Sequence, residues 1–150
     1  MTPRIRAFRA EDAEYIIDNI REDDRKELAA IGLSASDGIR MSVENSTYLY
    51  TGLDRDNNPA FVLGTAVTPS GAMIWLLGTD AIDREPKTFL LNSRPVLDLM
   101  FEITGVKTIY NYVWKGNKVH IKWLKWLGFH LHEHEEGPLK DFIFFYMTKE

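Results

Sequence analysis

The chain has 150 residues, of which 45% are hydrophobic and 27% are charged, and this balance predicts one folded domain rather than a disordered segment. It contains no cysteine, which excludes disulfides, a thiol nucleophile and thiolate metal sites. A formal net charge of -4 disfavours general nucleic-acid binding, and the lack of a long apolar run or an apolar leader predicts a cytoplasmic protein without a membrane span.

The first third of the sequence predicts a strand followed by short helices. Residues 4–9 form a short run bounded by a proline and by acidic residues, which favours a strand. Asp12 is placed to cap the helix that follows, and residues 22–33 predict a second helix that ends at a glycine. Ser36 or Asp37 is the expected cap of a further helical turn or two.

The middle of the sequence predicts an antiparallel hairpin and then a central strand. Residues 48–51 and 60–67 flank the turn sequence DRDNNP, which is typical of a hairpin. Residues 72–79 are almost continuously apolar, as expected of a strand that is covered on both faces. Within that strand, Gly78 indicates a bulge, a close backbone approach or simply the end of the strand.

A long helix is expected next. It begins at or near Pro86, because proline is favoured in the first helical position. Pro95 lies within its expected length and predicts either a kink or a new helix that continues to Ile103. The chain then closes with a predicted hairpin of residues 131–136 and 140–147 around Gly137-Pro138.

Residues 107–129 predict a strand, a turn and a helix in succession. The strand contains β-branched and aromatic residues, and Asn111 is a polar exception that needs a partner from the backbone or from a ligand amide. Asn117 is the expected helix cap, and Gly128 is placed where a helix end needs positive φ. His120 and the apolar residues lie on one face of this helix, and the opposite face carries Lys118, Lys122 and Lys125.

This stretch resembles the last conserved segment of the GNAT family of N-acetyltransferases, whose pattern is V-x-x-x-N-x-x-A-x-x-L-Y-x-K-x-G-F. Val113, Asn117 and the Gly128-Phe129 pair match it at the same spacing. His120 stands where the pattern has a small residue, alanine. Leu124 replaces the tyrosine that often serves these enzymes as general acid, so catalysis by that tyrosine is excluded here.

A closer resemblance is to small GNAT-like proteins encoded by tailed phages, some of which are classed as internal virion or virion-assembly proteins. The similar runs lie in five places along the chain. They are residues 75–81, Phe89-Leu90 with Ser93-Arg94, Asn111 with Val113 and Asn117, residues 120–124, and Gly128-Phe129.

The resemblance implies an α/β (α+β) fold with a mixed, mainly antiparallel sheet of about six to seven strands and helices on both faces. In GNAT proteins the strand equivalent to residues 72–79 splays away from the strand that contains Val113. Backbone groups in that gap pair with the pantetheine arm of coenzyme A. The resemblance therefore implies acetyl-CoA as cofactor and an amine as acceptor.

The residues expected at the cofactor come from the central strand, the helix after it and the last conserved segment. They are Leu76, Leu77, Gly78, Thr79, Arg84, Lys87, Thr88, Phe89, Asn117 and Trp123. GNAT enzymes usually show [RQ]-x-x-G-x-[GA] before the long helix, because glycines let N–H groups close around a diphosphate. Here Lys87 and Phe89 occupy the small positions, so loss or remodelling of this cofactor site is the open alternative.

Three residues are expected around the chemistry: Glu27, Asn111 and His120. In GNAT proteins the paired helices near the N-terminus form the acceptor side, so residues 23–27 are a candidate proton-accepting patch. The alternative is a solvated helix start whose acids face the positive end of the helix dipole. For His120, the alternatives are a partly buried core histidine and a cleft residue whose near-neutral pKa suits proton transfer.

A rival hypothesis is a catalytically inactive GNAT scaffold that acts in virion assembly or on a host protein, with a cleft filled by Phe89 and Trp114. Expected partners are acetyl-CoA and an amine, then phage virion or host proteins, and a second copy of the chain; neither nucleic acid nor membrane is expected. No metal is expected either. The alternative is a zinc site at His130, His132 and His134, although a solvated edge strand is the plainer interpretation.

Overall fold

The computed structural model describes residues 4–133 and 136–149. The strands are β1 (Ile5–Ala7), β2 (Tyr48–Leu53), β3 (Pro59–Thr68), β4 (Gly71–Gly78), β5 (Thr108–Trp114), β6 (His130–Glu133) and β7 (Phe142–Thr148). The helices are α1 (Ala10–Asn19), α2 (Glu22–Ala30), α3 (Ala35–Asn45), α4 (Ala81–Arg84), α5 (Pro86–Thr104) and α6 (Lys118–Leu127).

The strands form one mixed sheet in the order β1-β2-β3-β4-β5-β7-β6. Every neighbouring pair is antiparallel except β4 and β5, which are parallel. These two central strands pair only at Ala72–Ile109 and Met73–Tyr110, and they diverge beyond that point. The mixed, mainly antiparallel sheet and the splayed central strands are thus confirmed.

Helices cover both faces of the sheet. Val62 and Leu63 are adjacent in β3, so their side chains point to opposite faces. Val62 packs in a cluster with Ile16 of α1 and Ile39 of α3, whereas Leu63 belongs to the larger core that α5 and α6 complete. The sheet is therefore the middle layer of three, as predicted.

The first helices begin one or more residues away from the predicted caps. Asp12 is the third residue of α1, and its carboxylate accepts from the backbone N–H of Arg9 at 2.9 Å, so it acts from inside the helix. Ser34, rather than Ser36 or Asp37, caps α3 by accepting from the N–H of Asp37 at 3.1 Å. At α1 the predicted residue caps the helix from its third position, and at α3 a neighbouring serine takes the role.

Pro86 is the first residue of α5, as predicted. Pro95 does not begin a new helix, because α5 is continuous to Thr104. The proline removes the hydrogen bond to the carbonyl of Leu91. Since Leu91 is exposed, water can take the place of that bond. The single turn α4 was not predicted.

The structure agrees with the predicted role of Gly128 at the end of α6, but not with those of Asn117 and Gly78. Gly128 ends α6 with φ 101°, as predicted. Asn117 precedes α6, but its side chain makes no capping hydrogen bond. β4 has no bulge at Gly78, since its register with β3 is unbroken; the close neighbour there is the side chain of Ile82, only 2.3 Å from where a Cβ would lie. Asn117 and Gly78 instead belong to the buried polar cluster described below.

The predicted closing hairpin is present, with β7 inserted between β5 and β6. Ile143 and Phe145 of β7 point into the core, which explains why this arm is so apolar. Within the described part of the chain, no helix has both the length and the apolar character needed to cross a bilayer.

A buried ion pair joins β1, α1 and β2. Both oxygens of Asp12 accept from the guanidinium of Arg6, at 2.7 and 2.9 Å, and one also accepts from the hydroxyl of Thr51 at 2.7 Å. Burial opposes the charge, but these hydrogen bonds together with the one from the Arg9 backbone outweigh it and lower the pKa of Asp12 from 3.8 to about 2.

We expect Asp12→Asn to lower the free energy of unfolding by about 2 kcal/mol at neutral pH. Because the pKa of Asp12 is lower in the folded state than in the unfolded state, its contribution is present at neutral pH and is lost as the pH falls from about 4 towards about 2. Urea unfolding at pH 7 and pH 3 measures the difference. Asp18→Asn, on the exposed side of α1, is the matched control, and an equal loss at both pH values would contradict the assignment.

Candidate functional site

The gap between β4 and β5 is bridged at its narrow end by Asn111. The side-chain nitrogen of Asn111 donates to the carbonyl of Ile74 on β4 at 2.6 Å. Its side-chain oxygen accepts from the backbone N–H of Tyr112 at 2.8 Å. One side-chain amide therefore satisfies a backbone group on each strand where the two strands part.

At the wide end of the gap, two carboxylates of α2 cap the strand edges. Asp24 accepts from the N–H of Gly78 on β4 at 2.8 Å, and Glu27 accepts from the N–H of Trp114 on β5 at 2.7 Å. The backbone of Arg21 also donates to the carbonyl of Gly78 at 2.8 Å. Helix α2 is therefore held across the opening by bonds to both strands.

Behind these contacts lies a buried polar cluster. The guanidinium of Arg21 is 3.1 Å from carboxylates of both Asp24 and Asp83. The amide nitrogen of Asn117, which is fully buried, is 3.4 Å from Asp24 and 3.4 Å from Glu27. The interpretation of residues 23–27 as a solvated helix start is wrong for Asp24 and Glu27, because both carboxylates point into the protein.

The surroundings of the cluster shift the pKa values of Glu27 and His120 in opposite directions. Burial, reinforced by the charge of Asp24, raises the pKa of Glu27 from 4.5 to about 7. Burial and the positive charge of Arg21 lower the pKa of His120 to about 4. Of the two alternatives for His120, the buried histidine fits and the cleft residue with a near-neutral pKa does not; the group whose pKa lies near 7 is the carboxyl group of Glu27. The Nδ1 atom of His120 lies 4.0 Å from Glu27.

Burial also raises the pKa of Asp24, although Arg21 and the hydrogen bond from Gly78 oppose that shift. The ionised form is therefore costly on both carboxyl groups that α2 brings to the gap. Glu27 is the more exposed of the two, since its side chain is 20% exposed and that of Asp24 is 2% exposed.

A cavity of about 590 Å³ lies at the gap and is lined by residues from both faces of the sheet. On the α2 side it is lined by apolar groups such as Leu28, Ile31 and Trp75. On the α5 side it is lined by Phe61 and by predicted site residues.

Eight of the predicted site residues line this cavity. They are Glu27, Leu76, Leu77, Thr88, Phe89, Asn111, His120 and Trp123. The other five do not. Gly78 and Asn117 are engaged with Asp24, Thr79 bonds to Ala60, and Arg84 and Lys87 are exposed near the start of α5.

One backbone position on β4 is available to a ligand inside the cavity. Leu76 lies between Ile74 and Gly78, and alternation along the strand directs its N–H and C=O into the gap. No hydrogen bond from any described residue reaches these two groups. A molecule that carries a secondary amide in an extended arm can pair with both of them.

Two side-chain atoms in the cavity wall also lack a partner among the described residues: the indole nitrogen of Trp123 and the side-chain oxygen of Asn92. One is a donor and the other is an acceptor, and both atoms are buried. Asn92 was missed in the sequence, because a polar residue within a helix is usually solvated. Only its place in the same helix as Thr88 and Phe89 connects it with the site.

The start of α5 departs from a glycine-rich diphosphate cradle. Glu85 lies at its N-terminus, where its carboxylate pairs with Arg55 at 2.9 Å, and Pro86 has no N–H to offer. Phe89 packs between Phe61 and Trp123, with ring centroids 5.8 and 5.1 Å apart, and so narrows the cavity without closing it. The structure fits an amide-bearing arm at Leu76 better than a diphosphate held by the α5 backbone alone.

No group of three or more potential metal ligands occurs among the described residues. His130 and His132 lie on β6 and are exposed, whereas His134 falls outside the described residues. The three-histidine alternative therefore remains untested.

Solved structures with a similar fold include N-acetyltransferases. A spermidine N-acetyltransferase from Vibrio cholerae, solved with CoA and spermine, is 17% identical with a TM-score of 0.68, and the match covers 96% of this chain and 94% of that chain. The protein smu.2055 from Streptococcus mutans UA159 is 14% identical with a TM-score of 0.67, covering 96% and 98%. A dodecameric structure of spermidine N-acetyltransferase from Vibrio cholerae in an intermediate state is 15% identical with a TM-score of 0.62, covering 96% and 92%.

At these identities the likeness shows the fold, and the predicted GNAT fold is confirmed. No curated protein matches the sequence. A family model described as "Bacteriophage T7, probable scaffold protein Gp13" matches residues 59–135, just over half of the chain, from β3 to the end of β6. This chain, with its GNAT fold, therefore belongs to the bacteriophage T7 probable scaffold protein Gp13 family.

Proposed function

We propose that the chain binds an acyl-CoA thioester, acetyl-CoA first of all, in the β4–β5 gap and transfers the acyl group to an amine, with Glu27 as general base. The observation that carries the proposal is the carboxyl group of Glu27, whose pKa of about 7 matches the task and which lies at the wide end of the gap. A base with a pKa near the working pH combines a large ionised fraction with a useful affinity for the proton.

The cavity wall supports the thioester part of the proposal. The open peptide group of Leu76 is complementary to an amide of a pantetheine arm, and the unpartnered polar atoms of Trp123 and Asn92 are buried in side chains of the same cavity wall. Arg84 and Lys87, exposed near the start of α5, are the side chains placed to attract the phosphates. Acetyl-CoA, when bound, supplies an activated acyl group as a thioester.

In the proposed reaction the protein transfers one proton and positions the two substrates. The amine enters from the α2 side, and its nitrogen attacks the carbonyl carbon of the thioester. Glu27 takes the proton released from the nitrogen, and the C–S bond breaks so that the electron pair leaves on sulfur. The Trp114 N–H holds the Glu27 carboxylate in place, whereas Leu124 is a core residue and offers no proton to the leaving thiolate. That proton comes from solvent.

The second candidate function is that of a scaffold in phage particle assembly, and the family description favours it. Leu124 in place of the usual acid and the Glu85-Pro86 start of α5 are changes that such a role tolerates, because a scaffold does not need them. The proposed partners are then phage virion or host proteins in the host cytoplasm. The two functions predict different consequences of changing Glu27.

We expect acyl transfer from acetyl-CoA to a simple amine to speed up as the pH rises through about 7, because Glu27 accepts a proton only when it is ionised. We expect Glu27→Gln to lower kcat at least about 100-fold and to remove this pH dependence, since glutamine can keep the bond to Trp114 but cannot take a proton. Release of free thiol from acetyl-CoA measures the rate.

Two controls accompany that measurement. Glu14→Gln, on the exposed side of α1, should leave the rate unchanged. Because the pKa of Glu27 is higher in the folded state, its ionisation costs stability as the pH rises from about 4.5 to about 7, so Glu27→Gln should be no less stable than the natural chain at pH 8. An unaltered rate in a folded Glu27→Gln protein would remove Glu27 from the mechanism.

The scaffold proposal is tested in a phage from which the gene for this chain has been deleted. We expect a chain with Glu27→Gln to restore the yield of complete particles to within about twofold if assembly depends on the surface of the fold alone, since the substitution lies inside the gap. Plaque counts with the natural chain, with the variant and with no chain provide the comparison. Failure of a stable Glu27→Gln protein to restore particles would tie assembly to the chemistry.

A further inference from the structure

We infer that Asn111 is a positioning residue that keeps β4 and β5 apart, because its side-chain amide is inserted where the two strands would otherwise hydrogen-bond to each other. This inference deepens the proposed function, since the gap that Asn111 holds open is where the thioester arm is proposed to bind. Its geometric part concerns the chain alone and can be tested without a ligand.

The register of the β4–β5 pairing shows which groups would meet if the strands stayed together. The last pair is Met73 with Tyr110. In a parallel ladder the bonded groups recur every second residue, and here the even-numbered residues of both strands face each other. One further step would bring the N–H of Tyr112 onto the carbonyl of Ile74.

These two groups are the ones that Asn111 separates. The carbonyl of Ile74 accepts from the Asn111 nitrogen at 2.6 Å, and the N–H of Tyr112 donates to the Asn111 oxygen at 2.8 Å. The orientation of the amide is fixed by chemistry, since only its NH₂ group can donate to a carbonyl and only its oxygen can accept from an N–H. A single direct backbone bond has been replaced by two bonds through a side chain.

The insertion determines what happens further along the gap. With Tyr112 held away from Ile74, the next ladder bond, from the N–H of Leu76 to the carbonyl of Tyr112, is not made. At the wide end, Asp24 and Glu27 occupy the N–H groups of both strands. Leu76 is left as the position of β4 whose backbone groups face the gap and remain available to a ligand.

Asn111 also lacks features expected of a group that reacts with a substrate. Its oxygen and one of its N–H groups are both engaged with the backbone of the two strands. An amide has no titratable proton near neutral pH. Asn111 was predicted to act at the chemistry. Its contacts indicate that it instead sets the shape of the gap and does not touch the reacting atoms.

The test uses amide hydrogen exchange of the folded chain with Asn111→Val. Valine cannot hydrogen-bond, has β propensity and is close in size to asparagine, so the strands are free to pair directly. We expect the N–H of Leu76, which is open in the natural chain, to gain at least about tenfold protection, because it now reaches the carbonyl of Tyr112. The melting temperature should be unchanged or higher, because two direct backbone bonds, from Tyr112 to Ile74 and from Leu76 to Tyr112, replace the two that are lost.

Two further variants serve as controls. Asn111→Gln retains an amide, so the protection of Leu76 should stay close to that of the natural chain. Thr108→Val adds a β-branched apolar residue to β5 outside the gap, where the strands already pair, and should also leave Leu76 unprotected. Unchanged exchange at Leu76 in Asn111→Val, or a lower melting temperature with no gain of protection, would overturn the inference, because either outcome would show that the strands stay apart without the amide.

A titration with CoA separates this inference from the proposed function. If both hold, CoA binds the natural chain and Asn111→Gln, and its affinity for Asn111→Val falls at least about tenfold while the fold is intact. If CoA binds none of the three proteins but Leu76 becomes protected in Asn111→Val, the proposed function fails and the positioning role of Asn111 stands. If CoA binds Asn111→Val as tightly as the natural chain, Asn111 does not control access to the gap.

Discussion

Two neighbouring parallel strands separate after two residue pairs, and every backbone group exposed by that separation needs a partner. An unpaired buried N–H or C=O costs as much as a lost hydrogen bond, so a gap inside a sheet is stable only if other groups fill it. In this chain the partners are side chains: Asn111 at the narrow end and two carboxylates of α2 at the wide end. The positions of α2 and of the buried polar cluster follow from this requirement.

The same requirement accounts for the unusual protonation of the site. A carboxyl group recruited to cap a strand edge is removed from water, and burial raises its pKa. Glu27 thereby reaches a pKa of about 7 although Trp114 and Asn117 both donate to it, while His120 beside it is kept neutral by burial and by Arg21. A structural need, the capping of Trp114, and a chemical capacity, proton transfer at neutral pH, thus reside in one side chain. The proposed acyl transfer depends on this coincidence of a structural role and a raised pKa in Glu27.

The sequence predicted the features that depend on local pattern. The apolar strand at residues 72–79, the proline start of α5 and the glycine end of α6 each follow from conformational preferences of the residues themselves. The splayed strands came from the GNAT resemblance rather than from any periodicity. Glu27, Asn111 and His120 all line one cavity, and their part in catalysis stays a prediction.

What the sequence could not supply were contacts between distant segments. Asp24 and Asn117 are 93 positions apart and meet only because α2 crosses the gap. In the sequence, residues 22–27 look like an exposed charged helix start, since nothing local marks which acids turn inward. The cap of α3 was misplaced by two or three residues for a related reason, because several neighbouring polar residues are equally suited to the role.

The central claim is that the gap beside Leu76 is a ligand site, and an amide NMR titration of the natural chain with CoA tests it most directly. If CoA binds in the gap, we expect the backbone N–H of Leu76 to show a large downfield shift. Smaller changes should follow along β4 and at the indole N–H of Trp123. Shifts confined to the exposed surface around Arg84 and Lys87, or no shifts at millimolar CoA, would contradict it.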